Sequence, residues 1–309
     1  MRTPTPVPDH LAGRTFSLAE ARRAGITPRM LEHPRFRQVY PRVYCLADLA
    51  LSPVEQIAAA RRNLPSDART THSTRLRELG MEHGRLEPLH FVVARDLHLD
   101  VDGIVLHRTK RMPPSGPTGV CAEAAFVALA ATERMIDLIV IGDWLLRNDH
   151  MSATSLAEFV RLSPWRSGAA QATVVAPHLD GRARSTKESE TRAVVVFAGL
   201  PRPEVNVEIR DAAGTLVGIG DLVYRLWRLV VEYEGRQHAL DIRQFARDID
   251  RYAGFRRIDW DYHQVTNERL ARPRSLVLAL HDHLVHRGYD GPAPVFGRRW
   301  ASLFLPVAV

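Results

Sequence analysis

Residues 216–238 read LVGIGDLVYRLWRLVVEYEGRQH. Two apolar runs in this stretch, 216–224 and 229–233, are rich in branched and aromatic side chains and therefore predict two strands. The short segment Arg225-Leu226-Trp227 between them predicts a hairpin. This hairpin decides the architecture of the C-terminal third, because it places the side chains of one strand beside those of the other.

Acidic residues lie inside both of these apolar strands. Asp221 stands in the first strand, where the hairpin is expected to bring it beside Glu232. Glu232 and Glu234 share one face of the second strand, since side chains alternate along a strand. Carboxylates on adjacent apolar strands are costly unless something neutralises them, and a divalent metal would do so. The alternative is a solvated strand face, with both glutamates directed at water.

The segment after the second strand carries donors for phosphate. Gly235 would let another backbone approach closely, and Arg236, Gln237 and His238 follow it directly. A guanidinium group binds phosphate well, and an imidazole can act in acid–base catalysis. Magnesium favours a few carboxylate oxygens together with water and phosphate oxygens. The pattern therefore favours a metal site that works on a phosphodiester.

Regular patterns on both sides of the hairpin complete a domain over 185–290, followed by a C-terminal tail over 291–309. The predicted elements are, in chain order, a helix over 185–198, a strand over 205–209, the hairpin, a helix over 238–255, a strand over 260–266 and a closing helix over 273–286. The predicted order is therefore αβββαβ with a closing helix.

This domain resembles the Vsr-like (very-short-patch-repair-like) endonucleases of the PD-(D/E)XK superfamily. The pieces that carry the resemblance are STKES with Arg192 on the first helix, AGLPRP at 198–203, GDL at 220–222, VEYEGRQH at 231–238, DIDR at 248–251, and Trp260 with Val265-Thr266 on the last strand. Together these pieces span about 100 residues, and they are specific only as a set.

The resemblance implies a restriction-endonuclease-like αβββαβ core that hydrolyses DNA with Mg²⁺ (or Mn²⁺), in defence or repair. It implies Asp221 and Glu232 as metal ligands, and the other candidate catalytic residues are Glu188, Glu234 and His238. The candidate DNA contacts in this domain are Arg192, Arg236, Gln237 and Arg251. Two departures favour the alternative of a catalytically degenerate nuclease fold. Glu234 stands where the superfamily has a lysine, and Gln264 where many relatives have an arginine.

The N-terminal region predicts a winged helix-turn-helix over 14–50, after a flexible tail over 1–13. The capping box Ser17-Leu18-Ala19-Glu20 predicts one helix, Thr27-Pro28 begins a second, and residues 36–44 predict a hairpin. The expected DNA contacts of this module are Arg29, Arg35, Arg37 and Arg42. The alternative is a small helical subdomain with a solvated basic face.

This region also resembles AbiEi-type antitoxins and transcriptional regulators, although only loosely. The residues that match are Phe16-Ser17-Leu18-Ala19-Glu20-Ala21, Ala24-Gly25-Ile26 and Arg42-Val43-Tyr44. The resemblance implies either a regulator that reads an operator, for which a homodimer is the usual form, or an antitoxin that binds a partner toxin.

Between these regions we expect a mixed α/β middle domain over 51–164 and a linker over 165–184 that is rich in Ser, Gly, Ala and Arg. The middle domain shows no catalytic spacing. Its histidines form no HxxxH or HExxH pattern, so they are expected to be core or surface residues: His72, His83, His90, His98 and His107.

The composition agrees with a nucleic-acid partner. The net charge is +7 and the only lysines are Lys110 and Lys187, so arginine, which binds phosphate and guanine in a bidentate manner, supplies nearly all of the positive charge. A GC-rich genome would also produce this bias. Cys45 and Cys121 fit neither a disulfide framework nor a zinc site, which favours a cytoplasmic protein. No signal peptide and no run long enough to span a membrane are expected.

Overall fold

The computed structural model describes residues 7–82, 84, 87–234 and 251–309. The chain divides into two compact units, Met1–Ala125 and Phe126–Val309. Within the described residues it is a mixed α/β protein of the α+β type, with helices and three small sheets of three, four and three strands. This division differs from the boundaries expected at 50, 164 and 184.

The first unit begins with a small helix and strand module around an apolar cluster. Its elements are α1 (Asp9–Ala12), β1 (Phe16–Ser17), α2 (Leu18–Arg23), α3 (Pro28–Leu31), β2 (Phe36–Tyr40) and β3 (Val43–Leu46). The strands form an antiparallel sheet in the order β1-β3-β2. The predicted capping box is confirmed, because Ser17 and Glu20 each accept the backbone N–H of the other. Thr27 caps α3, whose first residue is Pro28, as predicted.

The expected flexible tail over 1–13 is wrong for its described part. Residues Asp9–Ala12 form a helical turn, and Leu11 is fully buried in the same cluster as Phe16, Ile26 and Phe36. The proline-rich composition indicated a loose segment, but a single large apolar side chain is enough to dock a short helix on a core.

The rest of the first unit places helices around a second small sheet. Its elements are α4 (Pro53–Arg61), β4 (Arg69–Thr70), α5 (His72–Glu78), β5 (Leu89–Val93), β6 (Ile104–Arg108) and the start of α6 (Ala122–Ala130). The sheet order is β4-β5-β6, with β4 antiparallel and β6 parallel to β5. The predicted strands at Leu89 and Ile104 are therefore confirmed.

The second unit opens with helices, and one of them corrects the sequence interpretation. The helices are α7 (Met135–Arg147), α8 (Ala153–Leu162), α9 (Ala169–Val175) and α10 (Thr186–Phe197). The expected linker over 165–184 contains α9, with Ala169, Ala172 and Val175 buried. Alanine and glycine indicated a linker, yet alanine is the best helix former. A Cβ on Gly168 would lie 1.8 Å from the Val127 carbonyl oxygen, so this glycine permits close packing.

A four-stranded sheet forms the body of the second unit. The remaining elements are β7 (Glu204–Arg210), β8 (Leu216–Tyr224), β9 (Leu229–Glu234), α11 (helical over 251–257), β10 (Asp261–Thr266), α12 (Asn267–Leu270), α13 (Pro273–His286) and α14 (Arg298–Ser302). The sheet order is β10-β9-β8-β7, with β10 parallel to β9 and the other pairs antiparallel. The predicted hairpin is confirmed, with Leu222 opposite Val231. Most of the helix predicted over 238–255 lies outside the described residues.

The expected C-terminal tail over 291–309 is also wrong, because this segment packs on the unit. Trp300 and Leu303 are buried. The carbonyls of Leu303 and Leu305 accept the backbone N–H groups of Ile136 and Met135, at 3.0 Å each. These two N–H groups are in the first turn of α7, where they have no partner within the helix. The segment therefore caps α7 through tertiary contacts that leave no sequence signature.

Candidate functional site

Asp221 lies in β8 at the end of the β8–β9 ladder. The regular pairs run from Tyr224 with Leu229 to Leu222 with Val231, and Asp221 follows them. Its carboxylate Oδ2 accepts the backbone N–H of Tyr233 at 3.0 Å, so this side chain occupies the place of a ladder carbonyl. The strand pairing therefore fixes the position of the Asp221 carboxylate.

Asp221 and Glu188 line the same shallow cleft, between the sheet and α10. The other lining residues are Thr191, Leu222, Val231 and Tyr233. Glu188 is 6 % exposed, and its Oε2 accepts the N–H of Arg184 at 2.8 Å and the Asn206 amide at 2.7 Å. Burial, followed by the nearby Glu188 carboxylate, raises the pKa of Asp221 to about 6. The cleft therefore holds two poorly solvated acidic groups with an unfavourable interaction between them.

Stability is expected to fall as the pH rises past this pKa. The folded chain holds the Asp221 proton more tightly than the unfolded chain, whose ordinary pKa is 3.8. The tighter binding of this proton therefore adds to the free energy of unfolding. Its contribution is fully present below about pH 4 and is lost as the pH rises through about 6. Asparagine is nearly the same size and never ionises, so Asp221→Asn should become more stable than the natural protein across this window, by up to about 3 kcal/mol. Urea unfolding from acid to neutral pH measures the difference, and a pH-independent difference would contradict the assignment.

Glu232, expected as the second metal ligand, lies on the neighbouring strand β9 and does not line this cleft. It is 3 % exposed, and its Oε2 accepts a hydrogen bond from the Arg251 guanidinium group on α11. Arg251 was expected to contact DNA, and the structure places it against this buried carboxylate instead. Asp221 and Glu232 therefore have different immediate partners, although they lie on adjacent strands.

Glu234, the other expected catalytic acid on β9, is held by two polar neighbours. The Tyr252 hydroxyl and the Gln264 amide both donate hydrogen bonds to its carboxylate. Gln264 lies on β10 directly opposite Glu232, and Thr266 lies opposite Glu234. Gln264 therefore binds Glu234, and these are the two residues that depart from the Vsr-like pattern that the sequence resembles.

Within the described residues, no group of three carboxylates has its oxygens within 4.8 Å of one another. The acids that the sequence singled out therefore form a pair in the cleft, Asp221 with Glu188, and two separately bound residues, Glu232 and Glu234. The expected residues Arg236, Gln237 and His238 lie outside the described residues.

Arg192 does not lie where a DNA contact would. It is 2 % exposed, and its guanidinium group binds the Asp143 carboxylate of α7 at 2.6 Å and the His178 carbonyl oxygen at 2.7 Å. Asp143 is itself 1 % exposed, and its other oxygen accepts the N–H of Asp180 at 2.6 Å. Arg192, which was expected to contact DNA, therefore belongs to a buried ion pair between α10 and α7.

The arginines expected to contact DNA from the first unit lie in α3, in β2, just before β2 and in the turn that follows it. Arg29, Arg37 and Arg42 are exposed, and among the described residues none of the three has an acidic partner. Arg37 donates to the Leu49 carbonyl oxygen at 2.8 Å. Arg35 is half-buried, with its guanidinium group 4.8 Å from the centre of the Phe36 ring.

Sequence reasoning missed several residues that shape this site. Asn206 in β7 adopts a left-handed φ of 51° and donates its amide to Glu188. Asparagine tolerates this conformation better than most residues, but no sequence pattern marks a left-handed residue at this position. Tyr252 could have been found, since it lies within the helix predicted over 238–255. Asp143 was visible as an acid in the middle of the apolar run of α7, which is a signal for a buried partner.

The comparisons with known proteins give one partial likeness. The chain is 29% identical over 143 residues to two uncharacterised proteins of Mycobacterium tuberculosis, from strains CDC 1551 / Oshkosh and ATCC 25618 / H37Rv. The match covers 46% of this chain and 52% of each relative, so the chain spans about half the length of these curated relatives. Neither a family model nor a solved structure gives a significant match.

In the described residues, no helix combines the length and the apolar character that crossing a membrane would require.

Proposed function

We propose that this protein binds DNA and that its second unit is a metal-dependent endonuclease, which hydrolyses phosphodiester bonds in the cytoplasm, in defence or repair. The observation that carries the proposal is the pair of shielded carboxylates, Asp221 and Glu188, in one cleft beside the sheet. Two such groups repel each other in their charged forms, and a divalent cation between them would relieve the repulsion.

Magnesium or manganese suits this donor set. Magnesium is commonly held by one or two carboxylates and keeps several waters, whose places phosphate oxygens can take. When bound, it would neutralise charge on the phosphodiester and make a bound water more acidic. Asp221 and Glu188 would hold the cation. Glu232 would join them only when its ion pair with Arg251 opens, as it would if a DNA phosphate took its place on that guanidinium group.

The first unit supports the DNA-binding part of the proposal. Its first helices and hairpin follow in the order of a winged helix-turn-helix, and Arg29, Arg37 and Arg42 expose guanidinium groups there. The net charge of +7 favours a polyanion as partner. In this arrangement the first unit would bind the duplex, and the second would cut it.

Arg37→Ala is expected to weaken binding to DNA of any sequence and to lower the salt dependence by about one phosphate contact. A single phosphate contact contributes about one unit to the slope of log affinity against log salt concentration. Fluorescence anisotropy with a labelled duplex over a range of salt concentrations measures both effects.

The matched control for this variant is Arg95→Ala, which removes an exposed arginine of the same unit that is already paired with Asp67 at 2.8 Å. It should leave the slope unchanged. An Arg37→Ala protein with the natural slope would show that this arginine does not contact phosphate.

A second candidate function is a regulator or an AbiEi-type antitoxin with a degenerate nuclease fold. The contacts of Glu232 with Arg251, and of Glu234 with Tyr252 and Gln264, favour it, because these hydrogen bonds occupy two of the expected catalytic acids. Such a protein would bind an operator as a homodimer, or bind a partner toxin, without cutting DNA.

Incubation with supercoiled plasmid separates these two functions. The endonuclease should nick the plasmid in Mg²⁺ or Mn²⁺ and leave it intact in EDTA. Plasmid that stays intact with every metal, while the protein still retards DNA in a gel, would favour the regulator and would exclude cleavage of simple duplex DNA.

A further inference from the structure

Three histidines of the first unit meet on one side of the β4-β5-β6 sheet. Their side-chain nitrogens lie within 4.8 Å of one another. His90 pairs with Val105, and His107 pairs with Val92, so His90 and His107 lie on the same face of the parallel strands β5 and β6, two residues apart. His72 begins α5, immediately after β4 and Thr71. Three separate elements thus bring the imidazoles together.

The rings are stacked closely and are partly shielded from solvent. The ring centres of His72 and His107 are 4.1 Å apart, and His90 lies 5.0 Å from His72. Nδ1 of His90 and Nε2 of His107 are 2.9 Å apart, at hydrogen-bonding distance. All three residues are half-buried, so a small solute could still reach them.

Two features of His72 distinguish this cluster from ordinary packing of aromatic rings. Its Nδ1 is buried and has no hydrogen-bond partner among the described residues. Its backbone has a left-handed φ of 48°, which a residue with a side chain adopts only at some cost. A shielded polar atom without a partner, held in place by a strained backbone, is typical of a position whose natural partner is a ligand.

The surrounding backbone holds the histidines in register. The N–H of His90 donates to the Thr74 hydroxyl at 2.7 Å, and the His90 carbonyl oxygen accepts the N–H of Thr71 at 3.1 Å. These bonds tie the start of α5 to β5, and they fix His72 over the strand that carries His90. The cluster is therefore built from ordered elements rather than from loop tips, as a preorganised ligand set requires.

We propose that His72, His90 and His107 form a binding site for a transition-metal cation of the zinc class, independent of the carboxylate cleft of the second unit. Imidazole nitrogens suit Zn²⁺, Cu²⁺ and Ni²⁺, whereas Mg²⁺ and Ca²⁺ prefer oxygen. Three histidines with one position left for water or substrate are the donor set of an exchangeable or catalytic zinc.

The protonation states and distances agree with this assignment. Burial, with added repulsion from neighbouring imidazoles, lowers the pKa of His72 to about 3 and that of His90 to about 4. Burial also lowers the pKa of His107. The rings are therefore neutral at neutral pH, as metal ligands must be. Around a tetrahedral zinc, ligand nitrogens are about 3.3 Å apart and the metal lies near the plane of each imidazole, so the three rings would rotate out of their stack to bind it.

Zinc binding to the full-length protein, prepared without a polyhistidine tag, tests the proposal. Titration against a chromophoric chelator should show one tight Zn²⁺ equivalent. Co²⁺ in its place should give the visible spectrum of a tetrahedral site, with no thiolate charge-transfer band, because neither Cys45 nor Cys121 belongs to the cluster. Absence of Zn²⁺ binding, or a cobalt–thiolate band, would overturn the proposal.

Single variants identify the ligands. His72→Ala, His90→Ala and His107→Ala should each weaken Zn²⁺ binding by about a hundred-fold or more, since loss of even an outer partner of a metal ligand costs ten- to a hundred-fold. The control is His98→Ala, whose side chain is 81% exposed in the same unit. Asp221→Asn should also still bind one Zn²⁺ equivalent, because this substitution changes only the carboxylate cleft of the second unit. Unchanged affinity in His72→Ala would overturn the assignment.

A folding defect would mimic the loss of a ligand, and a thermal-unfolding test separates the two. Zn²⁺ should raise the melting temperature of the natural protein. It should not raise that of His107→Gln, which keeps a polar side chain of similar size at this position. An equal rise in both proteins would show that the bound zinc does not use His107.

Discussion

Replacing Asp221 by asparagine is expected to reduce metal-dependent DNA cleavage by about a thousand-fold. Asparagine has nearly the same size and can still accept the backbone N–H of Tyr233, so the strand pairing should be retained. It brings no negative charge to a cation. A bound metal ion contributes several kcal/mol to stabilising the charge that develops on phosphate, and about 4 kcal/mol corresponds to about a thousand-fold in rate. The initial rate of plasmid nicking in Mg²⁺ and Mn²⁺ measures the effect.

Glu208→Gln is the matched control for this variant. Glu208 lies on β7 of the same sheet and is exposed, so its replacement removes one negative charge away from the cleft. This variant should cut at the natural rate. If Asp221→Asn cuts as fast as the natural protein, Asp221 is not a metal ligand. If cutting persists in EDTA, the reaction does not depend on a metal.

The elements that the sequence predicted well are those with local signals. The capping box at Ser17, the proline at the first position of α3 and the apolar runs of the hairpin each act within a few residues. Helix α9 and the C-terminal segment were missed, because tertiary contacts hold them in place. Leu303 and Leu305 cap a helix more than 160 residues earlier in the chain, and composition alone cannot indicate such a contact.

The candidate site was predicted in its residues but not in its pairing. The predicted hairpin placed Asp221 beside Glu232, whereas the cleft joins Asp221 with Glu188. Val205 pairs with Leu222 and Val207 with Gly220, so the left-handed Asn206 lies opposite Asp221. The Asn206 amide binds Glu188 from this position, and an alternating pattern in the sequence predicts neither that contact nor the left-handed backbone of Asn206.

Arg192 illustrates how an arginine that is expected to contact DNA can lie in the interior instead. On a basic chain with a proposed DNA partner, an arginine on the first helix of the core was expected to bind phosphate. The structure instead buries it against Asp143, whose carboxylate would otherwise lie in the apolar interior without a cation. Burial raises the pKa of Asp143, and the Arg192 guanidinium group opposes that shift. The pair therefore stabilises the folded state, because either charge buried without its partner would lower the free energy of unfolding.

Arg192→Met is accordingly expected to lower the free energy of unfolding by about 3–5 kcal/mol, because it leaves Asp143 buried without its cation. Adding Asp143→Asn to this variant should recover much of the loss, since the amide oxygen can still accept the N–H of Asp180 without carrying charge. Urea unfolding at neutral pH measures all three proteins. Arg210→Met is the control, because Arg210 and Glu208 form an exposed pair that is expected to contribute no more than about 1 kcal/mol.

The DNA-contact role for Arg192 predicts the opposite set of results. An arginine that bound phosphate would be dispensable for folding, and its loss would lower the salt dependence of DNA binding by about one contact, as expected for Arg37. Arg192→Met with natural stability and a reduced slope would therefore restore that role. A destabilised Arg192→Met protein that keeps the natural slope, when assayed at a temperature at which it is folded, would place Arg192 among the residues that build the second unit.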